Sequence, residues 1–163
     1  MELSCREIQL QDRIPLIDIF NYYIKETFAA YPEKPVPYEA FDLMMTESAG
    51  YPALVLQDPS GTAKGFVLLR PYNRIPTFGH CAVISCFIEA NQTGQGAGKM
   101  LYETLFEAAK ERGLDHILAG VSSENRSSLR FHLRMGFVEC GRFPGVLRKH
   151  GRSLDEVWLI REL

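Results

Sequence analysis

Apolar residues recur along this chain with two periods, and the switches between them mark out the elements. A strand fits Leu3 to Gln9. Arg13 to Glu26 carries Ile14, Leu16, Ile17, Ile19, Phe20, Tyr23 and Ile24 close to helical spacing. Tyr31 to Pro37 holds three prolines, which remove donors and fix φ, so it is neither helix nor inner strand. A short helix is expected from Tyr38 to about Ser48. Ala53 to Gln57 and Gly65 to Arg70 read as a hairpin around the turn Asp58-Pro59-Ser60-Gly61. Phe78 to Ile88 is a long apolar run rich in β-formers, too continuous for an edge strand. Then come a helix from about Gly98 to Arg112 ended by Gly113, a strand from His116 to Val121, and a helix from Asn125 to Met135 ended by Gly136. Phe137 to Phe143 is a strand, Pro144 and Gly145 a loop, and Leu154 to Ile160 the last strand. The order β-α-α-β-β-β-α-β-α-β-β predicts a mixed α/β domain and not a regularly alternating doubly wound sheet.

The 163 residues suit one domain, taken as 1–163, large enough to bury a core without disulfides or metal. With 18 basic against 20 acidic residues the net charge is −2, which argues against a broadly basic surface and hence against nucleic-acid binding. No stretch approaches the ~20 apolar residues of a membrane span. The start of the chain lacks a basic segment followed by an apolar run, so no signal peptide is expected. Cys5, Cys81, Cys86 and Cys140 are scattered and form no C-x-x-C pair; they read as reduced, buried thiols, in keeping with a cytoplasmic location. The histidines show no i, i+4 pairing and no grouping at ligand spacing, so no metal is expected.

The chemistry concentrates in Thr93-Gly94-Gln95-Gly96-Ala97-Gly98-Lys99. A glycine-rich turn between a strand and a helix lets successive N–H groups converge, and the helix start adds unpaired donors and a positive dipole end. Lys99 can add a cation. The loop is therefore a phosphate or diphosphate site, or else a plain strand-helix turn. It is not a nucleoside-triphosphate loop: Thr93 stands where the first glycine is needed, and Met100 offers no magnesium ligand. Nor is it a dinucleotide fingerprint, since neither Gly94-x-Gly96 nor Gly96-x-Gly98 has its third glycine.

Gly94-Gln95-Gly96-Ala97-Gly98-Lys99, placed after a strand and before an amphipathic helix, resembles the signature loop of the GNAT superfamily of N-acetyltransferases. The segments 119–125 and 131–137 resemble the family's next strand with its Asn and its closing helix with Gly-Phe. Ile19 to Tyr23, Gly50-Tyr51-Pro52, Gly141-Arg142 and the stretch from Lys149 to Asp155 are similar to the phosphinothricin acetyltransferase-like branch, so the likeness spans nearly the whole chain. It implies a GNAT fold: a mixed central sheet of about seven strands, splayed in the middle, flanked by about four helices. It also implies acetyl-CoA as co-substrate, no metal, and transfer of the acetyl group to a primary amine, an amino-acid-like small molecule, by direct attack in a ternary complex. A degenerate module that binds acetyl-CoA without chemistry is the alternative. A homodimer is implied too, with 72–78 and the terminal strand as its surface.

By the same resemblance, backbone groups of Cys86, Phe87 and Ile88 meet the pantetheine arm, and the amides of Gly94, Gln95, Gly96, Ala97, Gly98 and Lys99 take the diphosphate. Asn125 contacts the cofactor, or serves as the N-cap of its helix, or both. His132 stands where the branch has a catalytic histidine; a satisfied core histidine is the other reading. One departure matters. On the strand before the loop the branch places an acidic residue that helps deprotonate the amine, and Val83 stands there. An ammonium must lose a proton before it attacks a thioester. His80, Glu124 or a water chain are the substitutes, with His80 first. The aromatic run Phe28 to Tyr31 lines the acceptor pocket or belongs to the core.

Overall fold

The computed structural model describes residues 2–163. Seven strands form one sheet in the order β1-β2-β3-β4-β5-β7-β6. They are β1 (Ser4–Glu7), β2 (Ala53–Gln57), β3 (Ala63–Pro71), β4 (Cys81–Ile88), β5 (His116–Ser122), β6 (Val138–Lys149) and β7 (Arg152–Glu162). Every neighbouring pair is antiparallel except β4 and β5. The helices are α1 (Arg13–Glu26), α2 (Ala40–Glu47), α3 (Ala97–Glu111) and α4 (Arg126–Arg134).

Strand alternation sends side chains to two cores. On one face α3 lays Ala97, Leu101, Leu105 and Ala109 over Val67, Leu69, Ala82, Ile84, Ile117, Ala119, Val157 and Leu159. On the other, Leu16, Ile17 and Ile19 of α1 and Phe41 of α2 cover Val55, Phe66 and Leu68. The expected glycine stops are Schellman turns. Gly113 (φ 84) donates to Lys110 and Leu114 to Ala109; Gly136 (φ 87) donates to Leu133 and Phe137 to His132. The second turn anchors buried Phe137 and so fixes the last turn of α4, which carries His132.

The structure departs from the expected elements at both ends of the long central strand's neighbourhood. Pro76–Phe78 is a 3-10 turn closed by the Gly79 amide on the Pro76 carbonyl, so β4 starts at Cys81 and His80 precedes it. β6 does not stop at Phe143. It passes Pro144 and Gly145 through a register shift and runs on to Lys149; an edge strand tolerates the missing proline donor, and the Gly145 amide donates to Asp155 at 2.9 Å. His150 (φ 50) and Gly151 (φ 72) then make a two-residue hairpin turn. The thiols are also less enclosed than expected: Cys140 is exposed, and Cys5, Cys81 and Cys86 are half-buried.

Asp12 closes the first connection. Its carboxylate is 2% exposed, takes both Arg6 guanidinium N–H groups at 2.8 and 2.9 Å, and accepts the Gln9 amide at 2.8 Å. Burial pushes its pKa up, but the hydrogen bonds from Arg6 and Gln9 outweigh it and leave the value below the ordinary one. A carboxyl with a depressed folded pKa contributes stability above its unfolded pKa and loses it as pH falls through the folded value. Asp12→Asn should cost about 1–3 kcal/mol near neutrality. The gap between variant and wild type in urea melts should close below about pH 4. A gap that persists in acid would refute the ionic role.

Candidate active site

β4 and β5 pair only at Cys81↔His116, Ala82↔Ile117 and Val83↔Leu118. Beyond those three rungs β4 continues with β3 and β5 with β7, so the edge of β4 from Ile84 to Ile88 that faces β5 has no ladder partner. A cleft of about 1630 Å³ opens along this split, lined by residues from both faces of the sheet.

On the α3 side the cleft is bounded by Thr93, Gly94, Gly96, Gly98 and Lys99. Gly94 (φ 75) and Gly96 (φ 83) are left-handed, a backbone conformation that suits glycine. Among the described residues, the amides from Gly94 to Lys99 have no protein acceptor, whereas Met100 already donates back to Gly96. Unpaired donors at a helix start, facing a roomy cleft, suit a diphosphate. Gln95 turns its side chain onto the Asn91 carbonyl at 2.9 Å, and Ala97 is buried beneath the loop. Lys99 is exposed, 3.7 Å from Glu103.

Asn125 lines the same side. Its Oδ1 caps α4, accepting the Ser128 amide at 3.3 Å, while no protein partner engages its Nδ2 among the described residues. The two readings of this residue are therefore compatible. His132 is 5% exposed and also lines the cleft. Its Nδ1–H donates to the Ser128 carbonyl at 2.8 Å, which leaves Nε2 as acceptor for the Tyr102 hydroxyl at 2.9 Å. Burial pulls its pKa below the ordinary histidine value, against the opposing pull of the Ser128 bond. Burial drives the Tyr102 phenol well above its own. Tyr102 and neutral His132 thus form one hydrogen-bonded pair beside Cys86, whose thiol burial pushes up to about 12. Of the three strand residues singled out for their backbone, Cys86, Phe87 and Ile88 all line the cleft. The Ile88 carbonyl, however, already accepts the Tyr23 hydroxyl at 2.5 Å.

The opposite side of the split carries groups that the sequence reading did not single out. Arg70 donates from Nη1 to Ser85 Oγ at 2.9 Å. Glu156 of β7 accepts the Trp158 indole N–H at 2.7 Å and reaches over Gly120, where a Cβ would meet its Oε2 at 3.4 Å. Burial, and then the Glu156 carboxylate beside it, push the Tyr31 phenol well above its ordinary pKa. The signal in the sequence was alternation. Val157 and Leu159 are buried in the core, so Glu156 and the single tryptophan must face the other way. The aromatic run divides: Ala29, Ala30 and Tyr31 line the cleft, while Phe28 packs under Arg152 and against His150.

Two expected groups lie elsewhere. His80 is exposed ahead of β4 and does not line the cleft. It sits with Cys81 and His116, their ligand-type atoms all within 4.8 Å of one another, a grouping that no linear spacing announced. Glu124 is engaged by Arg152 at 2.9 Å and is also absent from the lining.

Residues 16–137 match the Acetyltransferase (GNAT) family. The chain belongs to the GNAT acetyltransferases. Within the GNAT enzymes it is similar to the phosphinothricin N-acetyltransferase of Streptomyces coelicolor, 31% identical over 99% of this chain and 97% of that one. It is equally similar to the L-methionine sulfoximine/L-methionine sulfone acetyltransferase of Pseudomonas aeruginosa, at 31% over 95% of this chain and 91% of that one. Its fold superposes on the crystal structure of a GNAT phosphinothricin acetyltransferase from Sinorhizobium meliloti in complex with AcCoA. The TM-score is 0.93 at 24% identity, over 100% of this chain and 89% of that one. The protein is an N-acetyltransferase with acetyl-CoA as co-substrate, built as a seven-stranded mixed sheet with four helices. No described helix is long and apolar enough to cross a membrane.

Proposed function

We propose that this enzyme acetylates the amino group of a small amino-acid-like acceptor by direct attack inside the split sheet. The observation that carries the reading is the division of the cleft. Unpaired amides and the Tyr102–His132 pair lie on one side, and a cation, a phenol and a carboxylate lie on the other. Acetyl-CoA enters from the α3 side. The Gly94 to Lys99 loop takes its diphosphate, free edge groups of Cys86 and Phe87 align the pantetheine arm, and Asn125 Nδ2 adds a contact.

The acceptor enters from the α1 side. Arg70 keeps guanidinium donors beyond the one given to Ser85, and these suit a carboxylate or an acidic oxygen. The named acceptors of the relatives, phosphinothricin and methionine sulfone, are amino acids bearing such oxygens. When the C–S bond breaks, the sulfur takes a proton from the Tyr102 hydroxyl, which lines the cleft and is positioned by His132 Nε2; the phenolate left behind regains a proton from solvent as CoA leaves. The part assigned to His132 here is to position that hydroxyl.

Calorimetric titration with acetyl-CoA should give saturable binding. Release of free CoA thiol should then follow addition of phosphinothricin, L-methionine sulfone or L-methionine sulfoximine, faster than with putrescine, which has no acidic group for Arg70. Equal rates with the diamine and the amino acids would remove the assigned role of Arg70.

A further inference from the structure

The attacking nitrogen arrives as an ammonium, and Val83 leaves its strand without a group to deprotonate it. Three carboxylates line the cleft. Glu103 and Glu107 are exposed on α3, beside Lys99 and Lys110, on the side of the sheet assigned to the cofactor. Glu156 alone stands on the acceptor side. Register places it at the gap: it pairs with Ser122, two residues beyond Gly120, and Gly120 lies two residues past the last rung between β4 and β5. The absence of a side chain at Gly120 leaves room for the carboxylate, because a Cβ there would meet Oε2 at 3.4 Å and Trp158 at 3.2 Å. The indole N–H fixes Oε1, and the Tyr31 phenol is the carboxylate's other neighbour able to donate a hydrogen bond.

We propose that Glu156 is the general base of this enzyme, receiving the acceptor ammonium on Oε2 and taking its proton. The inference rests on the reading that the amine occupies this side of the split. The proton balance is closed. One N–H bond of the ammonium breaks as Glu156 takes a proton, later lost to solvent. The freed lone pair forms the C–N bond to the acetyl carbon, and the C–S bond breaks. The second proton on nitrogen leaves to solvent as the tetrahedral adduct collapses to the amide; the sulfur takes one from Tyr102, which solvent restores, so one proton is released per turnover. The ionisable groups facing Glu156 are Tyr31 from the segment after α1 and Arg70 from β3. From β7 it meets Trp158, from β5 uncharged Gly120 and Ser122, and from β6 its rung partner Phe143. Arg142 and Asp155 pair with each other, and Asp155, the preceding residue of β7, takes the alternate face.

Glu156→Gln keeps the size and an oxygen for the indole but cannot accept the proton. With the best acceptor of the panel above, kcat/KM near neutral pH should fall about 100-fold while the Kd for acetyl-CoA is unchanged. The variant should regain about tenfold in rate per pH unit until the amine itself deprotonates; the wild type should be flat over that range. Glu156→Asp should keep the flat profile at reduced rate, and it carries the test if the Gln variant folds poorly. Loss of less than about threefold, a loss equal at all pH values, or a rise in acceptor KM alone would overturn the assignment. Failure of wild-type protein to bind acetyl-CoA would instead sink the reading on which it rests.

Discussion

Gly96→Asp is expected to leave the fold intact and to weaken acetyl-CoA binding about 100-fold. Gly96 sits at φ 83 with nothing within 4 Å of where a Cβ would be, so a side chain fits without collision. Asp is among the few residues that adopt this left-handed conformation readily, which keeps the strain small. The new carboxylate would lie among the unpaired amides from Gly94 to Lys99, where a diphosphate is to bind. Two like charges about 5 Å apart at an effective dielectric of about 20 repel by roughly 3 kcal/mol, and salt trims this to about 2–3. That corresponds to the stated factor. Gly96→Asn supplies the same backbone preference without charge and should stay within a few-fold of wild type. Calorimetry on the pair separates charge from geometry, and an Asp variant that binds as well as the Asn variant would mean the amides do not meet the diphosphate.

Lys149→Met should be the most destabilising single change outside the apolar core. Lys149 is 1% exposed, and its Nζ donates to the carbonyls of Thr27 at 2.9 Å and Ala30 at 2.6 Å. Burial pulls its pKa below the usual lysine value. Methionine keeps the apolar stem but leaves two carbonyls in a dry place without a donor, a loss of about 2–4 kcal/mol. In a chain of this size that lowers Tm by roughly 5–15 °C. The damage should also be directional. Lys149 ties the β6–β7 hairpin to the segment that supplies Ala29, Ala30 and Tyr31 to the acceptor side. The acceptor KM should rise while the Kd for acetyl-CoA holds. A melt within 2 °C of wild type would show that water replaces the ammonium at no cost.

The helices, the succession of elements along the chain and the glycine-rich turn after β4 were legible in the sequence because each is written in local terms. Gly113 and Gly136 mark stops, period 3.6 marks α1 and α3, and the glycines of the loop mark a turn. What escaped was decided by pairing across the sheet. β6 crosses Pro144 because it lies on an edge, and a proline read without knowledge of the edge looks like a break. Nothing local in the sequence marks Tyr102; its hydroxyl matters because α4 brings His132 to it from 30 residues away. Arg70 and Glu156 belong to strands that never touch each other, and the split between β4 and β5 puts both at its rim. His80 followed from extending β4 too far toward its start, where Pro76 begins a turn instead.

The seam between the half-sheets has a thermodynamic side. Three rungs join four strands to three, so much of the backbone cohesion expected at the centre of a sheet is missing there. In the proposed placement, a pantetheine arm along the open edge of β4 would supply amide groups of its own and complete that cohesion from outside the polypeptide. Acetyl-CoA would then act as a folding ligand as well as a reactant: at a free concentration a hundred times its Kd, linkage adds about 2.7 kcal/mol to the native state. The Tm of this enzyme should then climb with added acetyl-CoA, and a melt unmoved at saturating co-substrate would refute that coupling.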